Sequence, residues 1–96
     1  MAFLYRLQPP RASFAGDMSP AEAEVMERHV AYWQDLLSRR EALAFGPVLH
    51  PTDPWGLGLL DLEDEQAAKA IGDADPAVES GICTYEVVPM ELVRPG

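Results

Sequence analysis

Cysteine occurs once in 96 residues, at Cys83, so no intramolecular disulfide can form and a disulfide-built secreted fold is excluded. A reducing, cytoplasmic setting is the expectation. Basic side chains are scarce, 7 Lys and Arg against 16 Asp and Glu, for a formal charge of −9. A phosphate backbone or an anionic bilayer repels such a chain, which sets aside nucleic acid and membranes as partners. Long apolar runs are missing too. The opening Met1–Leu7 is broken by Arg6 and then by Pro9-Pro10, too soon for a signal peptide or a membrane span. There is no Gly-x-Ser-x-Gly elbow, and Gly56-Leu57-Gly58 lacks both a third glycine and a following helix, so acyl transfer and nucleotide binding have no motif behind them. His29, His50, Asp53 and Asp75 form the one mixed nitrogen and oxygen set, but no pair among them has a metal-typical spacing. Neither a metal nor an organic cofactor is expected.

What is present reads as one domain over residues 1–96. Phe3–Leu7 alternates aromatic and aliphatic residues like a strand. Residues 8–18 then form a loop carrying Arg11 and Phe14. Ser19-Pro20-Ala21-Glu22 matches a capping box, and the helix it opens is expected to reach about Arg39. A second strand is predicted over Phe45–His50, a turn over Pro51–Pro54, and a third strand over Trp55–Leu62, whose glycines at 56 and 58 suggest a bulge or a close backbone approach. Asp61, Glu63, Asp64 and Glu65 precede a short helix over Ala67–Ile71 that Gly72 would stop. Asp75–Gly81 reads as a turn and Ile82–Val88 as the last strand. The order βαββαβ is the α+β, ferredoxin-like plan, an antiparallel sheet with two helices on one face. Apolar residues on both sides of the strands then call for a second copy over the open face, a homodimer.

At about 100° per residue, Met26, Val30, Trp33 and Leu37 form an apolar stripe on the first long helix, with Val25 and Leu36 on its shoulder. His29 projects from inside it. An imidazole held against apolar surface is desolvated and favours the neutral, basic ring, unless a carboxylate pulls the other way. Asp75 is the proposed partner. Such a pair suits proton removal from a phenol or carbon acid, whereas the plainer alternative is a hydrogen bond that only satisfies two buried groups.

The chain resembles the YCII-related family of the dimeric α+β barrel superfamily. The resemblance is carried by Arg11 and Phe14, by Met18–Glu22, and by His29 with Tyr32 and Trp33. It continues through Phe45-Gly46-Pro47-Val48, Trp55-Gly56-Leu57 and Asp75-Pro76. One departure is that Arg39–Ala44 lacks the glycine that often ends this helix in relatives. The resemblance implies a ferredoxin-like protomer, a dimer, and His29 and Asp75 as a catalytic pair facing a cleft. One characterised relative removes chloride from a chlorinated hydroxyquinone.

Two readings follow. In the first, the protein is a small cofactor-independent enzyme, lyase-like (dehydrochlorinase-like) or isomerase-like, acting on a small, aromatic or acidic metabolite through His29 and Asp75. Phe14, Trp33, Gly46, Pro47 and Trp55 would shape its cleft, and Arg11 would hold a carboxylate or phenolate. In the second, the same cleft belongs to a non-catalytic module that binds a small molecule or a protein. Taken singly, Trp33 and Phe14 read as core ahead of ligand contacts, and Arg11 as a solvated loop charge.

Overall fold

Alternation along β1 (Ala2–Gln8) sends Phe3, Tyr5 and Leu7 to one side, where all three are buried. The structure, a computed structural model, describes residues 1–96. β1 occupies a central position. It pairs antiparallel with β3 (Trp55–Asp61) on one side and β4 (Thr84–Met90) on the other, while β2 (Ala42–Val48) adds to the far edge of β3. The strand order is β2-β3-β1-β4, the ferredoxin-like plan read from the sequence. The two longer helices are α2 (Pro20–Ser38), packed along β2, and α3 (Glu65–Ala74), packed against β4 and β1. Two single turns complete the helical layer, α1 (Phe14–Asp17) and α4 (Pro76–Glu79).

Local chemistry sets most of the boundaries. Both halves of the predicted capping box form: the Ser19 hydroxyl accepts from the Glu22 amide and the Glu22 carboxylate accepts from the Ser19 amide. α2 ends where Arg40 takes the left-handed conformation, φ 61°, the place of the missing glycine. This sharp reversal lets β2 start at Ala42, three residues before the predicted Phe45. Its ladder to β3 holds the irregularity, between Ala42 and Ala44, which the sequence suggested for β3 itself.

Gly58 makes a close approach instead. A Cβ there would stand 2.4 Å from the Trp33 ring, so the bare backbone is what seats that ring on the sheet. Gly72 likewise does not stop its helix. It lies inside α3 with the Tyr85 ring 2.3 Å from where a Cβ would be, and α3 runs on to Ala74 from an Asp64 cap. The predicted loop around Phe14 contains α1, and the predicted turn after Asp75 contains α4, each too short for hydrophobic periodicity to announce. β4 starts two residues later than expected, because the Cys83 amide is bonded to the Ala77 carbonyl rather than to a strand.

The other sheet face carries the residues of opposite alternation. Ala44, Leu59, Leu4 and Val88 stand in one row across all four strands, by register, with Val88 43% exposed. No helix covers this row. No helix is long and apolar enough to cross a membrane.

Candidate active site

The buried line of α2 runs through Val25, Trp33 and Leu36, while Val30, placed in the predicted stripe, is 41% exposed. That rotation puts His29, one turn from both Val25 and Trp33, over the protein interior. Its Nδ1 lies 2.8 Å and 3.0 Å from the two carboxylate oxygens of Asp75. Asp75 arrives from the junction of α3 and α4, held by its own cap: Oδ1 accepts from the Ala77 amide at 2.9 Å, with Pro76 at the first helical position. The pair proposed from sequence is therefore in direct contact across 46 residues of chain.

Asp75 is completely buried, which is unusual for a carboxylate and demands partners. It has four. Beside His29 and the Ala77 amide, Tyr5 Oη donates to Oδ2 at 3.0 Å and Trp33 Nε1 donates to the same oxygen at 2.9 Å. Burial by itself pushes this carboxyl up. Hydrogen bonding and charge from His29, with the Trp33 and Ala77 donors, outweigh it and hold Asp75 below the ordinary carboxylate range. Burial, with the Asp75 charge and hydrogen bond, drives the Tyr5 phenol far upward, so Tyr5 remains a neutral donor. An ionised carboxylate only accepts, so Nδ1 of His29 carries the shared proton, and Nε2 is the ring nitrogen left to exchange a proton with a ligand. No hydrogen bond within the fold uses Nε2, and the imidazole lines a cavity of about 350 Å³.

The cavity is aromatic and aliphatic. Trp33 forms its floor, 4.8 Å from Tyr5 and 5.9 Å from Phe45 between ring centroids. Phe14, Met18, Met26, Gly46, Pro47 and Trp55 continue the lining. Of the residues singled out in the sequence, His29, Phe14, Trp33, Gly46, Pro47 and Trp55 line this space, and Asp75 stands directly behind His29. Arg11 is not brought to it. Its guanidinium pairs with Asp17 at 2.8 Å and with both oxygens of Glu22 at 2.8 and 3.0 Å, and it lies 5.3 Å from the Phe14 ring centroid. Those hydrogen bonds, and that of the Ser19 amide, push Glu22 down to about 2, so the expected ligand hold is spent on fixing α1 to the start of α2.

Cys83 also lines the cavity, but burial, aided by the nearby Asp75 charge, pushes its thiol up to about 11, which makes it a poor nucleophile. His50 accepts the Thr52 and Asp53 amides within the β2–β3 loop, and no three His, Cys, Asp or Glu side chains converge as cation ligands. Tyr5 is the site residue the sequence hid. Its only signal was a hydroxyl on an otherwise apolar strand face.

Two comparisons bear on this arrangement. The YCII-related domain model matches residues 1–91, and the chain belongs to that family. The fold is shared with a solved structure, 5-chloro-2-hydroxyhydroquinone dehydrochlorinase from Burkholderia phenoliruptrix AC1100 in complex with 2,5-dihydroxybenzoquinone. The TM-score is 0.73 over 95% of this chain and 94% of that one, at 16% identity. At that identity the likeness speaks for the fold alone. No curated protein matches the sequence.

Proposed function

We propose that the protein is a cofactor-independent acid–base enzyme for a small cyclic or aromatic molecule, with His29 as the proton-transferring base and Asp75 as its orienting partner. The observation that carries this reading is the geometry of Asp75: a buried carboxylate held by four donors, one of them the Nδ1 of an imidazole that lines a cavity large enough for a ligand. In this reading Nε2 takes a proton from a hydroxyl or an activated carbon of the ligand. The imidazolium so formed sits against the Asp75 carboxylate, which stabilises it, and returns the proton to a leaving group or to another carbon. Elimination or isomerisation follows without a covalent intermediate. The dehydrochlorinase with the same fold acts on a ring compound of this general kind.

The protein is further proposed to work as a homodimer. The row Ala44, Leu59, Leu4 and Val88 is an apolar band on the uncovered sheet face, and a second copy is the occupant that this self-complementary surface suits.

The test of the enzymatic reading is incubation in D2O with hydroxylated quinones and enolisable ring ketones, followed by ¹H NMR for deuterium wash-in or product. Wild type is expected to exchange or convert at least one of them, and His29→Gln to lose at least 100-fold, the scale of a general base. Equal rates in the two proteins would refute it. Saturable binding with no exchange in any compound would leave a binding module in its place.

A further inference from the structure

The sequence left open an acidic ligand held by Arg11, and the structure removes the cation that such a ligand needs. No Arg, Lys, Asp or Glu lines the cavity; Tyr5 and Trp33 are bonded to Asp75, which leaves the His29 imidazole, the Trp55 indole and the Cys83 thiol as its side-chain polar groups. Arg11 is neutralised by Asp17 and Glu22. Arg6, stacked 4.5 Å from the Trp55 ring centroid, stands 3.6 Å from Asp53. Behind His29 lies the fixed charge of Asp75, in a chain of formal charge −9.

A ligand that arrives as a carboxylate or phosphate would thus leave water for an apolar space that offers no Arg or Lys and sets the Asp75 carboxylate behind its one imidazole. A ligand that arrives neutral and carries one weakly acidic hydroxyl meets none of that cost. Its O–H donates to Nε2, and its body replaces water against Trp33, Phe45, Phe14 and the two methionines. An engineered cavity of about 150 Å³ holds benzene, and the space here, about 350 Å³, has room for a ring with an alkyl or fused substituent.

Building on the function proposed above, we infer that the substrate class is an uncharged, apolar-substituted phenol or cyclic enol with its hydroxyl on His29 Nε2, and that carboxylated analogues are excluded. This is a narrower ligand than the dihydroxybenzoquinone bound by the protein of similar fold, whose oxygens lie around the ring. This lining is mostly apolar, with no charged side chain to meet several ring oxygens.

The experiment is titration of the wild-type protein at pH 7 with three matched compounds, 4-butylphenol, 4-butylanisole and 4-butylbenzoate, read by tryptophan fluorescence and by calorimetry. The expected order is phenol tightest, the methyl ether about fivefold weaker for want of the hydroxyl donor, and the benzoate at least tenfold weaker than the phenol. Placing a cation on the lining, Val30→Arg at a half-exposed position, should bring the benzoate up to within twofold of the phenol. Benzoate binding as tight as phenol in the wild type would overturn the inference and leave the acid–base site standing. Equal binding of phenol and methyl ether would overturn the His29 contact. Binding of none of the three would overturn both the inference and the small-molecule site on which it rests.

Discussion

Asp75 concentrates the fold and the site in one side chain. Four donors converge on its two oxygens, so removing the charge is a structural change as well as a chemical one. An amide at this position keeps one acceptor oxygen and turns an NH2 toward donors. Asp75→Asn is therefore expected to cost about 2–4 kcal/mol in urea unfolding, and an unchanged midpoint would contradict the buried network. Tyr5→Phe leaves the carboxylate three donors and should cost about 1–2 kcal/mol, with a shift in the pH profile of any exchange reaction that His29 carries. The acid limb follows from the same residue. Its folded pKa is depressed, so its contribution is present above the unfolded carboxyl value, near 4, and disappears as pH falls through the lower folded value. Urea midpoints should fall below about pH 4 in wild type, and less steeply in Asp75→Asn.

At the residue level, helical spacing and the family motif each point to one side chain, His29 and Asp75, and the two are in contact. The sequence was silent on Tyr5, whose phenol finds its acceptor 70 residues away. It misled on Arg11, since nothing in a loop sequence tells whether a guanidinium meets a ligand or, as here, its own Asp17 and Glu22.

Among the elements, two glycines and one arginine set how neighbouring elements meet. The sequence allows Gly58 a bulge or a close backbone approach and makes Gly72 a helix stop; Gly58 is the close approach, to the Trp33 ring, and Gly72 lies inside its helix against the Tyr85 ring. Such approaches are tertiary facts that no local window contains. Gly58→Ala would drive a methyl into the Trp33 ring and is expected to cost about 1–3 kcal/mol, with altered tryptophan fluorescence from the cavity floor. Arg40 shows the opposite case. Its positive φ is a cost that a glycine would relieve, and Arg40→Gly should raise stability by about 0.5–1 kcal/mol, or several degrees in Tm. A fall in Tm would mean that the Arg40 side chain holds the turn in a way the backbone does not disclose. The strand boundaries slipped by two or three residues for a related reason, since caps and reversals that set them are fixed by single backbone bonds such as Glu41 N–H to the Leu36 carbonyl.

For the whole molecule, the βαββαβ order and the antiparallel sheet are legible because the four strands and the two longer helices are strongly patterned, and the strand order follows from it. Helices cover one sheet face, and the other presents its band of Leu4, Leu59 and Val88. Sedimentation is expected to give a dimer for wild type and a monomer for the double variant Leu59→Lys and Val88→Lys, which places like charges across the proposed seam. A monomeric wild type would contradict the proposed dimer.

In the proposed mechanism Asp75 fixes the proton of His29 on Nδ1 and so presents Nε2 to the cavity as the base. Long-range ¹H–¹⁵N NMR of the imidazole at neutral pH, with and without 4-butylphenol, tests it most directly. The expected result is a protonated Nδ1 in both spectra and an Nε2 resonance typical of a lone-pair nitrogen that shifts when the phenol binds. A proton on Nε2 in the free protein, or an Nε2 resonance that ignores saturating phenol, would contradict it.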